Sequence, residues 1–406
     1  MAKPILDGLV VCDFTWVGAG PITTQNLAMM GATVIHIETH NRVDAIRVVP
    51  PFKDRKPGVE RSGYYAPRNA NKLGLSLDLS KPEAIAVVKR LLTMSDIVIN
   101  SFTFGVLDRW GLGYEDCKKI KPDIIYIEMP PQGRTGPHKD FMAFGALINA
   151  LVGVTFLTGY PDKNPSGTGT NYTDHVPVPG HLTFAIMAAL RHRRKTGEGQ
   201  FIELAQSQSG VSMVSAIPVM DYAVNGRIQQ RMGCRHLELA PHNLYNCRGE
   251  RNWIAIAVYN DQEWESLKKV MGNPEWADDP KFAANEGRKA NEDELDAKIE
   301  EWTSTKWHRQ LMDELIREGV RAGVVHSGRD VTEDYNLVQR GFWTYLMHPE
   351  TGLSLYNHSP MRMSKAPVLS VTPANMIGQH NQQVLRDLLK YSDEEIKEME
   401  EKGVLN

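Results

Sequence analysis

The 406-residue sequence is poor in cysteine and has no long apolar run. Four widely separated cysteines form no C-x-x-C pair, which argues against a disulfide framework and a structural zinc site. No apolar stretch is long enough to cross a bilayer, and the first residues lack the pattern of a secretion signal. We therefore expect a cytoplasmic protein without a membrane partner. The cysteines are Cys12, Cys117, Cys234 and Cys247.

The sequence also has no excess of positive charge. Its 46 Lys and Arg residues face 49 Asp and Glu residues, which gives a formal net charge of −3. The cationic residues are scattered instead of clustered on one segment, so no basic field is available for a nucleic-acid backbone. We expect no nucleic-acid partner.

Several common catalytic motifs are missing. The turn VGAGP contains Gly18 and Gly20 but not the third glycine of a dinucleotide fingerprint. There is no G-x-S-x-G elbow and no H-E-x-x-H helix. His175 and His181 are six positions apart, which does not place two metal ligands on one helical face. We expect no metal site, and the two glycines either form a tight turn or let a ligand approach the backbone.

What the sequence does contain is a regular alternation of strands and helices. Buried strands are predicted at 9–14, TVIHIE, LGLSLDL, DIVIN and DIIYIEM, with helical segments between them. This pattern predicts an α/β fold whose large Rossmann-like domain has a parallel sheet covered on both faces. After Gly180 a helix with a cationic end is predicted to stop at Gly197 and Gly199.

The pattern changes in the second half of the chain. The strand WIAIAVY is flanked by acidic helical segments, which is typical of a smaller α+β domain. The change of pattern divides the chain into a large domain, a linker helix, a small domain and a C-terminal segment. The predicted limits are 1–210 for the large domain, 211–226 for a linker helix, 227–328 for the small domain and 329–406 for a return linker and C-terminal segment.

Asp174 stands in an unusual setting for a carboxylate. It lies in SGTGTNYTDHVPVPGHL, a Gly-, Thr- and Pro-rich loop that leads into a buried helix. From local sequence alone, such an aspartate is most often a turn former or a helix cap. The residues by themselves leave a catalytic role open.

Several sequence segments, in the same order along nearly the whole chain, resemble segments of the class III CoA-transferases. This is the family of formyl-CoA and carnitine CoA-transferases. The segments include PILDGLVVCDFTWVGAGP, NANKLGLSLDL, DIVINSFTFGVLDRWGLGYEDCKKIKPDIIY, RRKTGEGQFIEL and SPMRMSKAP. The resemblance implies a Rossmann-like large domain that binds CoA, and two chains that interlock as a homodimer. A heterodimer or heterotetramer with a homologous subunit is the open alternative.

The resemblance also implies site residues. Asp174 matches the nucleophilic aspartate of the family, which forms a mixed anhydride and then an aspartyl-CoA thioester. Other positions match residues that contact CoA or wall the reacting carbonyl. These are Gly18, Ala19, Leu77, Ser101, Phe102, Arg109, Trp110 and Phe144. The resemblance further implies that a coenzyme A thioester is the substrate, and we expect no permanently bound cofactor.

The sequence of the first third of the chain resembles that of family members that act on benzylsuccinate. The resemblance therefore implies transfer of CoA from succinyl-CoA to benzylsuccinate or a related aryl or alkyl acid. The aromatic and apolar residues Trp16, Val17, Trp110 and Phe144 would suit an aryl group.

The chain departs from the family pattern at a few positions. Ser101 replaces a commoner Asn, and Thr103 and Phe104 replace a frequent Arg-Pro pair. Gly18 stands where formyl-CoA transferase has a Gln, which makes a formyl or oxalyl substrate less expected. Two alternatives are an acyl-CoA racemase of the same superfamily and a CoA-binding subunit without activity. The racemase would need a histidine where this chain has Phe144.

Overall fold

A computed structural model of the protein describes residues 3–406. It forms two compact units. The large unit contains the residues up to Thr155, Gly167–Gln229 and Asn336–Asn406, and the small unit contains Phe156–Ser166 and Gln230–Tyr335. Residues 156–166, which the sequence analysis placed in the large domain, thus group with the small unit.

The large unit is built on a six-stranded sheet in which every neighbouring pair of strands is parallel. The strand order is β3-β2-β1-β4-β5-β6, and the predicted α/β fold is confirmed. The strands are β1 Val10–Phe14, β2 Thr33–Glu38, β3 Leu73–Ser76, β4 Ile97–Asn100, β5 Ile125–Glu128 and β6 Gln200–Glu203.

Helices cover both faces of this sheet, as continuous apolar strands require. The helices of the chain are α1 Ala19–Met29, α2 Ala66–Asn69, α3 Pro82–Leu92, α4 Val106–Arg109, α5 Tyr114–Ile120, α6 Gly145–Leu151, α7 Val154–Leu157, α8 Tyr172–His175, α9 Pro177–Thr196, α10 Gln206–Gly210, α11 Ala216–Asn225, α12 Asp261–Met271, α13 Asn285–Ala290, α14 Glu292–Thr303, α15 His308–Arg317, α16 Gly328–Thr332, α17 Tyr335–Gln339 and α18 Asp393–Glu401.

Each face of the sheet has its own apolar core. On one face, side chains of the sheet pack with α3, α4, α5 and the C-terminal segment around Val384 and Ile396. On the other face they pack with α1 and α9. Helix α9 ends where Gly197 takes a left-handed conformation (φ 78°), so the predicted stop is confirmed at this glycine.

The strand order reverses beside β1. The chain moves outward from β1 to β2 and β3, and then returns so that β4 lies on the other side of β1. The loops that follow β1 and β4 leave the sheet in opposite directions, which opens a crevice at the carboxyl ends of these strands. The topology therefore places a ligand site there before any side chain is considered.

Two smaller sheets complete the chain. In the small unit, β7 His242–Asn246, β8 Trp253–Ala257 and β9 Arg321–Val324 form an antiparallel sheet whose core includes the fully buried Trp264. The predicted strand WIAIAVY thus corresponds to β8. In the large unit, β10 Trp343–His348 and β11 Gly352–Asn357 form a hairpin.

Candidate active site

A cavity of about 450 Å³ lies in the large unit, at the carboxyl edge of the parallel sheet. Its lining comes from the segments 14–20, 37–42, 77–80, 101–110 and 129–131, which end or directly follow β1 to β5. Residues near α6 and α8 close the remaining side. The cavity therefore occupies the crevice that the reversal of strand order creates.

Asp174 lies on the wall of this cavity, in the short helix α8, and only 5% of its surface is exposed. Its Oδ1 atom is buried and has no hydrogen-bond partner among the described residues. Burial raises the pKa of the Asp174 carboxyl to about 6, although the Arg68 charge and the backbone N–H of Gly145 act in the opposite direction. A buried carboxylate on a cavity wall, with one oxygen unpartnered, is suited to covalent chemistry.

Two glycines pack directly against Asp174. A Cβ at Gly18 would lie 3.2 Å from the Asp174 Cβ and 3.4 Å from its Oδ2. A Cβ at Gly145 would overlap Asp174 Oδ2 and would lie 2.6 Å from the Cβ of Asn171. A side chain at Gly145 would displace the carboxylate, and a side chain at Gly18 would crowd it.

Arg68 and His175 lie on the other side of Asp174. The Arg68 Nη2 is 3.1 Å from His175 Nε2, and the His175 Nδ1 is 3.0 Å from the hydroxyl of Thr170. The Arg68 guanidinium also stacks 3.8 Å from the ring centre of Tyr64. Burial and the Arg68 charge lower the pKa of His175 to about 4, so the imidazole is neutral at pH 7 and its Nε2 accepts from Arg68.

Three aromatic rings form a further wall of the cavity. Trp16 and Phe102 meet edge to face with ring centres 5.2 Å apart, and Phe102 meets Trp110 in the same way at 6.4 Å. The Trp16 Nε1 atom is buried without a hydrogen-bond partner in the described part of the chain. The Arg42 guanidinium lies 5.8 Å from the centre of the Trp16 ring. This wall offers flat apolar surface together with one free donor and one cation.

A network of buried charges lies beneath the cavity. His36 stands between Asp13 and Glu38, with nitrogen-to-oxygen distances of 3.4 and 3.3 Å, and Arg47 contacts Glu38 at 2.7 Å. Lys72 adds a second cation 3.2 Å from Asp13. Burial opposes these charges, but Glu38 and Asp13 outweigh it and raise the pKa of His36, while the neighbouring cations lower the pKa of both carboxyls. The network is paired internally and fixes the ends of β1 and β2.

The structure brings together most of the residues that the sequence analysis singled out. Eight of the nine predicted site residues line the cavity, and they are Gly18, Ala19, Leu77, Ser101, Phe102, Trp110, Phe144 and Asp174. The ninth, Arg109, lies exposed on α4 and is not part of the lining. Its contact with a phosphate therefore stays a prediction. The hydroxyl of Ser101 accepts a hydrogen bond from the backbone N–H of Trp16 at 2.8 Å.

Sequence reasoning missed several residues of the site. Arg42, the one cation on the described cavity lining, follows β2, and Ser80 follows β3. Gly145 crowds Asp174 from α6. A signal for the first two was available, because residues that follow parallel strands meet at one edge of the sheet. Nothing in the local sequence marked Gly145.

Residues 3–406 contain no group of three His, Cys, Asp or Glu side chains placed to hold a metal ion. Over the same residues, no helix combines the length and the apolar character that a membrane span requires.

Comparison with known proteins agrees with this geometry. The sequence model of CoA-transferase family III matches residues 6–381. The succinyl-CoA–D-citramalate CoA-transferase of Chloroflexus aurantiacus is 30% identical over 98% of this chain and 98% of its own length. The succinate–glutarate CoA-transferase of Agrobacterium fabrum is 32% identical over 95% of this chain and 96% of its own length.

A solved structure extends the similarity to three dimensions. A CAIB/BAIF family protein from Brucella suis superposes with a TM-score of 0.86 and is 31% identical, over 96% of this chain and 100% of the other. The match of a family model across almost the whole length, together with relatives at this level of identity, shows that the chain belongs to CoA-transferase family III.

Proposed function

We propose that this chain moves coenzyme A from an acyl-CoA donor to a carboxylic acid, and that Asp174 is the nucleophile that carries CoA between the two acids as an aspartyl thioester. The observation that carries the proposal is the position of Asp174. It is a buried carboxylate with an unpartnered oxygen on the wall of the cavity at the sheet's switch point. The family assignment supports CoA as the group transferred.

The first half of the reaction is two acyl transfers. The Asp174 carboxylate attacks the thioester carbonyl of the donor, a C–O bond forms, the C–S bond breaks, and CoA leaves as a thiolate. The thiolate then attacks the Asp174 carbonyl carbon of the mixed anhydride, which gives an Asp174–CoA thioester and releases the donor acid. The two steps need the thiolate to remain in the cavity.

The second half reverses these steps with the acceptor. The carboxylate of the acceptor acid attacks the Asp174–CoA thioester, and the thiolate leaves again. It then attacks the acyl carbonyl of the new anhydride, which forms the product thioester and restores the Asp174 carboxylate. Protons are neither gained nor lost by Asp174 in this sequence, so it needs no separate acid or base.

Each attack places negative charge on a carbonyl oxygen. The turn at Gly18 and Ala19 leads directly into α1, where the first backbone N–H groups of the helix have no intrahelical acceptor. Gly18 touches Asp174, so these donors lie beside the reacting carboxylate. We assign them the stabilisation of the oxyanion.

For substrates we propose succinyl-CoA as donor and benzylsuccinate, or a related aryl or alkyl acid, as acceptor. The two similar enzymes described above are both named for succinyl-CoA or succinate as one of their substrates. The ring wall of Trp16, Phe102 and Trp110, with the exposed Phe144 at its side, supports an aromatic acceptor.

The racemase alternative has less support from the site. That reaction needs a proton acceptor and a proton donor on two faces of the α-carbon. Phe144 lines the cavity at the position where the racemase has its histidine, and no histidine is part of the described lining. Retention of Asp174 in a formed cavity likewise favours an active chain over a binding subunit.

We also propose that two chains associate, as a homodimer or with a homologous subunit. Helix α11 has no buried residue, and its apolar side chains at Ile217, Val219, Met220 and Val224 are between 51% and 76% exposed. A helix with this composition is expected to be covered by another surface.

Covalent trapping tests the proposed function. With succinyl-CoA and hydroxylamine, we expect Asp174 to become a hydroxamate, because the anhydride and the aspartyl thioester are both open to attack by an amine. Peptide mass spectrometry locates the modification. Asp78, a second carboxylate on the same cavity lining, serves as internal control and should stay unmodified. Product formed from benzylsuccinate while Asp174 remains unmodified would refute the proposal.

The pH profile gives an independent test. Asp174 must be ionised to attack, so kcat/KM should fall as the pH falls through about 6, the pKa that burial gives this carboxyl. The Arg68 charge lowers that pKa, and the substitution Arg68→Gln should therefore move the acidic limb of the profile to higher pH. Arg191→Gln, an exposed change on α9, is the matched control. An unshifted limb in Arg68→Gln would contradict the assigned ionisation.

A further inference from the structure

The turn Thr15–Gly18, between β1 and α1, is fixed by side chains from three separate segments. The backbone N–H of Thr15 donates to Asp13 Oδ1 at 2.9 Å, and the N–H of Trp16 donates to Ser101 Oγ at 2.8 Å. The N–H of Val17 donates to both carboxylate oxygens of Asp44, at 3.2 and 3.0 Å. Three consecutive backbone donors are thus held by side chains and not by a regular element.

The third residue of the turn is strained. Val17 has a φ of 71°, in the left-handed region that a β-branched residue rarely adopts. Such a conformation is unfavourable and persists only where the surroundings impose it. At Val17 the surroundings include the hydrogen bonds from its backbone N–H to the Asp44 carboxylate.

Asp44 is an unusual partner for this task. The Asp44 side chain is completely buried. Among the described residues, its carboxylate accepts hydrogen bonds from the backbone N–H groups of Val17 and Ile46 and not from a cation. Burial raises the pKa of the Asp44 carboxyl to about 6, while the two N–H groups pull it down. A buried carboxylate without a paired cation is costly to retain, and a role in the site would account for it.

The turn meets the nucleophile at its next residue. Gly18 follows Val17 and packs against Asp174, with only 3.2 Å from a hypothetical Gly18 Cβ to the Asp174 Cβ. The helix α1 begins one residue later. A change of φ at Val17 would therefore swing Gly18 and the first N–H groups of α1 away from Asp174.

We propose that Asp44 is a positioning residue: it holds Val17 in the left-handed conformation and thereby places Gly18 and the start of α1 against Asp174. This inference rests on the proposed function of Asp174 as the nucleophile of CoA transfer. Asp44 touches no substrate in this scheme, and it acts through the backbone of the turn.

The substitution Asp44→Asn tests the proposal, since an amide group offers one acceptor in place of two. We expect kcat for CoA transfer to fall about 100-fold, because a displacement of about 1 Å at a reacting group has an effect of this size. KM for the acyl-CoA should change less than about threefold, because most of the cavity lining comes from segments outside this turn. A variant that retains kcat overturns the proposal.

A rescue experiment separates this role from a merely structural one. Glycine adopts a positive φ without strain. The double variant Asp44→Asn with Val17→Gly should therefore have a kcat about tenfold higher than Asp44→Asn alone. Val17→Ala, which also shortens the side chain but keeps a Cβ, is the matched control and should restore much less. Equal recovery by the two changes, or recovery by neither, overturns the proposal.

Two further measurements keep the test decisive. If Asp44→Asn does not fold, Asp44→Glu takes its place, because one added methylene displaces the carboxylate from the turn; the same rescue is then expected. If the wild-type chain transfers CoA to no acid and gives no hydroxamate at Asp174, the proposed function fails first. If the wild type is active and the rescue is absent, only the positioning role fails.

Discussion

Asp174→Ala is expected to abolish CoA transfer, by at least about 10⁴-fold in kcat, because loss of a nucleophile removes the covalent route altogether. The binding of CoA should be largely retained. The cavity extends away from Asp174 to the aromatic wall and Arg42, and those residues are untouched by the change. Transfer is measured with succinyl-CoA and benzylsuccinate, and binding by calorimetry with free CoA.

The control for this change is Asp140→Ala, which removes an exposed carboxylate outside the cavity lining. It should leave both turnover and CoA binding at the wild-type level. Near-normal turnover in Asp174→Ala would show that no acyl group passes through this residue. Loss of CoA binding together with turnover would show instead that Asp174 supports the cavity and does not act as the nucleophile.

The sequence predicted five of the six strands of the central sheet, β1 to β5, because they are continuous apolar runs separated by helical segments. A fully buried strand such as β4 or β5 has this composition only when both faces are covered, so the α/β fold followed from local pattern. The limits of the two units did not follow from local pattern. Residues 156–166 group with the small unit by contacts with Gln230–Tyr335, far away in sequence, and local pattern carries no record of such contacts.

The candidate site was also predictable only in part: its lining residues were predicted, but the contacts that hold them were not. The resemblance placed eight residues that now line one cavity, yet it gave no account of how the turn before α1 is held. Asp44 looks like an ordinary loop aspartate in sequence, and its role depends on a bond to Val17, 27 positions earlier. Arg47 likewise bonds the backbone carbonyl of Asn375, which only the folded chain brings near. Buried polar contacts of this kind depend on tertiary geometry, and for that reason no local pattern predicts them.

Gly145→Ala is expected to lower kcat about 100- to 1000-fold, although the residue carries no functional group. The added Cβ would overlap Asp174 Oδ2 and would lie 2.6 Å from Asp174 Cγ, so the carboxylate must turn away from its present position. A shift of this kind removes the near-attack geometry with the thioester carbonyl. It also strains a packed site, at a cost of about 1–3 kcal/mol in the free energy of unfolding.

Gly180→Ala is the matched control for this substitution. Gly180 lies in α9, is exposed, and would have no atom within 4 Å of an added Cβ. Alanine there should stabilise the helix by roughly 0.5–1 kcal/mol and leave turnover unchanged. Thermal unfolding and transfer kinetics of both variants provide the comparison. If Gly145→Ala kept its turnover while the protein stayed folded, the position of the Asp174 carboxylate would not limit the reaction, and the crowding of this residue by two glycines would serve packing alone.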